Sequence, residues 1–125
     1  METVFNDYFT SQGLATEPTE FDGRSDYDAF QAAGIPAGGL FTGAEDLKTP
    51  EQAAIYGGTA GMAYDPCYHQ ACDDIDNLSS TALDQMSDAA AHATLVFGQT
   101  SSAVQGTGKG KAKGHGAHKG SRLRH

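Results

Sequence analysis

Four side chains in the stretch CYHQAC call for a chemical explanation. Cys67 and Cys72 are the only two cysteines of the 125-residue chain, and Tyr68 and His69 stand between them. Two thiols this close permit one disulfide and suggest an oxidising compartment. So short a loop gains little closure entropy, so a bridge here would serve geometry more than global stability. An imidazole held in a fixed bend has the chemistry of a metal ligand. A neighbouring tyrosine hydroxyl has the chemistry of a donor to a developing oxyanion. The plainer reading is a stapled loop with a solvated His69, and the spacing alone leaves both open.

Three further sets of residues carry chemistry. Asp84, Asp88 and His92 stand at i, i+4 and i+8. On a helix each step of four turns the wheel by about 40°, so all three share one face. Two carboxylates one turn apart can share a hard cation such as calcium, and adding His92 would suit zinc better. A solvated acidic face is the alternative. Arg24, in FDGRSD, is one of two basic residues in the first 105. Its guanidinium can hold a substrate carboxylate or carbonyl, or pair internally with Asp22, Asp26 or Asp28. Phe41, in GGLFTG, has glycines around it that allow close backbone approach, and it either lines a pocket or closes the core.

The elements that must position these residues are partly legible. Val4, Phe5, Tyr8 and Phe9 follow helical spacing and predict a short amphipathic helix over 3–12, stopped by Gly13. SDYDAFQAAG reads as a second helix, capped by Ser25 or Asp26 and ended by Gly34. IPAGGLFTG then reads as a buried strand leading into a loop. Thr49, Pro50 and Gln52 form a capping box with proline at the first helical position, and Gly57 and Gly58 end that helix. Residues 59–78 show little periodicity and read as a long loop of the functional kind. The last helix, capped by Ser80 or Thr81, carries Leu83, Met86, Ala90, Ala93 and Phe97 as one apolar stripe and stops at Gly98. Three or four helices with one or two strands indicate an α/β class in which part of a sheet is present, since a lone strand cannot make one.

Charge divides the chain. All sixteen acidic residues lie within 1–105, against Arg24 and Lys48 alone, whereas 106–125 holds six cations and no acid. The acidic body repels phosphate, which argues against nucleic acid as a partner. The Gly/Lys/His-rich segment 106–125 is too poor in apolar residues to order itself and reads as a disordered tail. No stretch approaches the roughly 20 apolar residues of a membrane span. The opening METVFNDYFTSQGL lacks the basic and apolar regions of a signal peptide and reads as the interior of something larger.

Four stretches, GRSDYDAF, GIPAGGLFTGAE, GGTAGMAYDPCYHQACD and TALDQMSDAAAHA, stand in an order and spacing that resembles the C-terminal part of the secreted, co-catalytic zinc aminopeptidases of peptidase family M28, the Streptomyces type above all. The resemblance covers about residues 3–100. It implies the C-terminal portion of a phosphorylase/hydrolase-like mixed-sheet domain over 1–105. It implies that His69 binds one of two zinc ions and that Tyr68 helps stabilise the tetrahedral intermediate. Cys67 and Cys72 would form a disulfide, Arg24 would contact the substrate, and Phe41 would line the pocket for a large hydrophobic N-terminal residue. Asp84 and Asp88 would match a structural calcium site.

The same resemblance marks departures. The family usually has histidine where this chain has Tyr27, a local change expected to be tolerated. The further histidine, the bridging aspartate, the carboxylate base and other acidic ligands have no counterpart here. The expected partners are therefore peptide substrates of the full domain and its missing N-terminal half, with secretion implied by family alone. On its own the chain is expected to be inactive and poorly stable. A stand-alone, non-catalytic cation-binding or degenerate remnant is the alternative reading.

Overall fold

Phe9 is fully buried, and its neighbours show where the core sits. It lies on helix α1 (Glu2–Ser11) with Phe5, against Ala89 and Ala93 of helix α4 (Ser80–Gln99), with Val4, Tyr8, Leu14, Leu40, Met86 and Phe97 packed around them. Small alanines on α4 let the α1 aromatic rings approach its backbone closely. Each Phe removed from water is worth about 1.5–3 kcal/mol, so this helix pair carries most of the apolar stabilisation. The computed structural model describes residues 1–100 together with Arg122 and Leu123.

The remaining elements are short. Strand β1 is Pro18–Thr19, helix α2 Tyr27–Ala32, strand β2 Gly39–Leu40, and helix α3 Pro50–Tyr56. A 3₁₀ turn spans Ile75–Asn77, and strand β3 is Arg122–Leu123. The sheet has the order β1-β3-β2, with β3 antiparallel to β1 and parallel to β2. A mix of helices with few strands is compatible with the expected α/β class. The expectation of a disordered 106–125 falls outside the described residues, apart from Arg122 and Leu123, which pair as the middle strand.

Local sequence logic holds best where capping is strong. Thr49 accepts from the Gln52 N–H at 3.1 Å while the Gln52 side chain accepts from the Thr49 N–H at 2.9 Å, with Pro50 at the first helical position. The cap of α4 is Ser79, before both Ser80 and Thr81 that the sequence suggests, accepting from the Ala82 N–H at 3.2 Å. The helix also runs through Gly98 to Gln99. The expected stripe shifts by one position in its middle. Ala89 is buried and Ala90 exposed, because α1 crosses the Ala89–Ala93 face. Leu83 is 61% exposed.

Outside the helix pair much apolar surface stays in water: Phe30, Ile35, Leu47, Ile75 and Leu78 are each more than half exposed. No helix among the described residues is long and apolar enough to cross a membrane.

Candidate substrate site

The stretch 43–48 forms the floor on which the site is built. Gly43 has φ +105°, and a Cβ there would overlap the Tyr64 ring, so glycine alone allows this approach. The following residues pair with the segment after α3: Leu47 bridges Ala63, the Lys48 N–H donates to Met62 O at 3.0 Å, and the Tyr64 N–H donates to Asp46 O at 3.0 Å. The Asp65 N–H donates to Ala44 O at 2.8 Å. The Lys48 ammonium lies 4.9 Å from the Tyr64 ring centre, a cation–π contact that covers the junction. These bonds carry the chain straight into Cys67–Cys72.

That loop is over-determined. Cys67 and Cys72 are bonded, with their Cα atoms 5.3 Å apart. Asp65 Oδ1 accepts from the Cys67 N–H and from the Asn77 amide, both at 2.9 Å, which ties the loop's start to the 3₁₀ turn beyond its end. Inside the ring of atoms so closed, His69 adopts φ +58°, in the left-handed region that a non-glycine residue rarely visits. Its imidazole lies against the Tyr68 ring, centres 4.0 Å apart. Tyr68 is half-buried and His69 exposed.

Tyr68 faces a cavity of about 330 Å³ walled by three segments: Phe21 to Tyr27, Gly38 to Glu45, and Tyr68 itself. Arg24, Phe41 and Tyr68, singled out separately in the sequence, therefore line one cavity. Phe21 and Tyr27 stack at 3.7 Å, and the Tyr27 hydroxyl donates to Asp22 at 3.0 Å while accepting from the Gly23 N–H at 2.7 Å. Tyr27, where the resemblance led us to expect histidine, thus shapes the turn that presents Arg24.

The ion pair of the Arg24 guanidinium is not made with a neighbour in sequence, although the charge of Asp22 also acts on it. The guanidinium pairs with Glu45 at 2.6 Å, and both residues line the cavity. Asp22 instead accepts from the Arg24 backbone N–H at 3.1 Å. Glu45 is the functional candidate that sequence reasoning missed. It stands at the end of the GGLFTGAE stretch, and a separation of 21 residues hid its partner. Its carboxyl is held below the usual range, first by its own backbone N–H, then by the Arg24 hydrogen bond; desolvation opposes this, and the charges of Arg24 and His69 add to it. Arg24 is held above its ordinary value, chiefly by the hydrogen bond and charge of Glu45.

Asp84, Asp88 and His92 are not part of this cavity. They lie on α4 beside Tyr8 of α1, whose ring sits 4.9 Å from that of His92. The Tyr8 hydroxyl is pushed up by desolvation and then by the two carboxylates. Among the described residues no three His, Cys, Asp or Glu side chains converge to hold a metal ion. A structural zinc site takes four protein ligands and a catalytic one three, so the residues present do not fit a complete zinc site around His69.

Residues 1–94 match peptidase family M28. The chain is 50% identical over 99 residues to leupeptin-inactivating enzyme 1 of Streptomyces exfoliatus, covering 78% of this chain and 23% of that protein. It is 56% identical over 94 residues to an aminopeptidase of Pseudomonas aeruginosa, 75% of this chain and 18% of the relative. It is 52% identical over 97 residues to a probable leucine aminopeptidase 2 of Aspergillus fumigatus, 78% and 19% respectively. The chain thus spans about a fifth of the length of these relatives. With three quarters of its residues matched, and with Arg24, Phe41 and Tyr68 brought to one cavity, the chain belongs to peptidase family M28.

Proposed function

We propose that this chain is the substrate-pocket portion of a secreted zinc aminopeptidase that removes hydrophobic N-terminal residues from peptides. One observation carries the reading: residues from three separate segments, Arg24, Phe41 and Tyr68, line a single cavity. Family M28 is generally zinc-dependent, and His69 would be one zinc ligand, the others coming from the rest of an M28 domain. Asp84 and Asp88 would contribute to a calcium site completed in the same way.

Each wall residue has a task its chemistry suits. Phe41 offers an apolar face to the substrate's first side chain. Arg24, already oriented by Glu45, offers donors to a peptide carbonyl. Tyr68, held by the bonded loop, offers a hydroxyl to the oxygen that becomes negative during peptide cleavage. A second cavity supports docking against further polypeptide. It is an apolar groove of about 540 Å³ between α4 and the α2–β2 segment, lined by Phe5, Phe30, Ile35, Leu40 and Phe97.

The chain alone, supplied with zinc, is expected to leave a leucine anilide intact. Adding a polypeptide that carries the rest of an M28 domain is expected to produce hydrolysis. In that assembly Tyr68→Phe should lower kcat by about 100-fold to 1000-fold, the cost of one oxyanion donor. Hydrolysis that survives Tyr68→Phe, Arg24→Ala and Phe41→Ala unchanged overturns the assignment of the cavity. An assembly that forms but never turns over favours a non-catalytic remnant.

A further inference from the structure

We propose that the C-terminal basic segment completes the sheet in cis: Arg122–Leu123 is a complementing strand that fills a slot between β1 and β2 and holds one wall of the cavity in place. The strand order is the first ground. β1 and β2 do not pair with each other; each pairs with β3, Pro18 opposite Leu123 and Gly39 opposite Arg122. Neighbouring strands lie about 4.8 Å apart, so β1 and β2 flank a gap of roughly 9–10 Å that only an extended backbone fills. Without β3, each is a two-residue strand with no other strand partner among the described residues. Unpaired strand edges of this kind accept a further strand readily.

Position and charge supply the second ground. β2 is part of the cavity wall and runs directly into Phe41. What fixes β2 therefore fixes the pocket. β1 lies between Glu17 and Glu20, with Asp22 following, whereas residues 106–125 hold six cations and no acid. Opposite charge favours the pairing of β3 with β1, most strongly at low salt. The match to family M28 stops at residue 94, so this strand is a property of this chain beyond what the family match covers.

The test reads backbone pairing in the full chain and does not depend on peptide binding or turnover. Leu123→Pro removes an N–H and cannot sit in a central strand. Amide hydrogen exchange is expected to speed up at least tenfold within residues 17–20 and 38–41, with α1 and α4 unchanged. Deleting 101–125 should do the same, and a peptide of sequence GSRLRH added in trans should restore protection. As a measurement that does not rely on a destabilised variant, Pro18→Cys combined with Leu123→Cys places two thiols at opposed positions. Oxidation should join them, more slowly in 1 M salt, while the out-of-register pair Pro18→Cys with Arg122→Cys should join far less. Unchanged exchange in Leu123→Pro, or equal joining of the two cysteine pairs, overturns the proposal.

Discussion

The α1–α4 pair and the segment from Phe41 to Asn77 are stabilised by different means. The helix pair is held by rings packed on alanines: Phe5 and Phe9 against Ala89 and Ala93. The segment that bears Tyr68 and His69 contributes Ala44 alone to the buried apolar residues. It is held instead by a disulfide, a capping box, the Asp65 hydrogen bonds and a glycine pressed against Tyr64. The lesson is that a site can be rigid in geometry while contributing little to global stability. Packing energy scales with buried apolar area, whereas local bonds restrict only the few residues they close. Breaking one region should therefore leave a different signature from breaking the other.

The largest effect is expected from Phe9→Ala. Truncating a fully buried phenylalanine costs about 3–5 kcal/mol, a large share of a small domain's stability. A thermal melt followed by circular dichroism should show α1 and α4 lost together. A melt unchanged from the parent chain would show that this core is not where stability resides.

Replacing both Cys67 and Cys72 by serine should come next, at about 2 kcal/mol for so short a loop. The signature is local: exchange should rise across residues 64–77 while α1 and α4 keep their protection. Equal loss in both regions would erase the distinction between them. Thr49→Ala should cost about 1 kcal/mol by removing the cap of α3, read as a shifted denaturant midpoint.

The smallest effect concerns pH. Glu45 has a folded-state pKa below its ordinary value of about 4.3. Its contribution is therefore fully present above that value and is lost as pH falls through the lower folded one. The pair is exposed, so the change should appear in the cavity rather than in the melt. Acid titration followed by the Arg24 side-chain NMR signals should show a transition below the ordinary carboxylate range. Glu45→Gln should abolish it, and a transition that persists in this variant would show that Glu45 is not its source.

Legibility in the sequence followed the range of the forces involved. The capping box of α3 was readable because all its partners lie within four residues. Phe9 was readable because helical spacing alone placed it on one face. The three aspartates near Arg24 looked like its partners for the same local reason, yet Glu45, 21 residues away, takes the guanidinium. Helical spacing puts Ala90 on the apolar stripe, yet Ala89 is the residue buried, because the wheel knows nothing of where α1 crosses. The short strands were legible only as a hint near Leu40, since pairing of β1, β3 and β2 joins residues more than eighty positions apart.

By itself the sequence determined the existence of the helices, the cap of α3, the separation of acidic from basic segments, and the motifs that mark the family. These rest on interactions within a turn or two of chain, or on composition. Only the tertiary structure decided that Arg24, Phe41 and Tyr68 line one cavity, that Glu45 holds Arg24, and that a strand from the basic segment lies between two others. Each of those depends on chain crossings that no local preference encodes, because they are chosen by what the remaining surfaces can bury or pair.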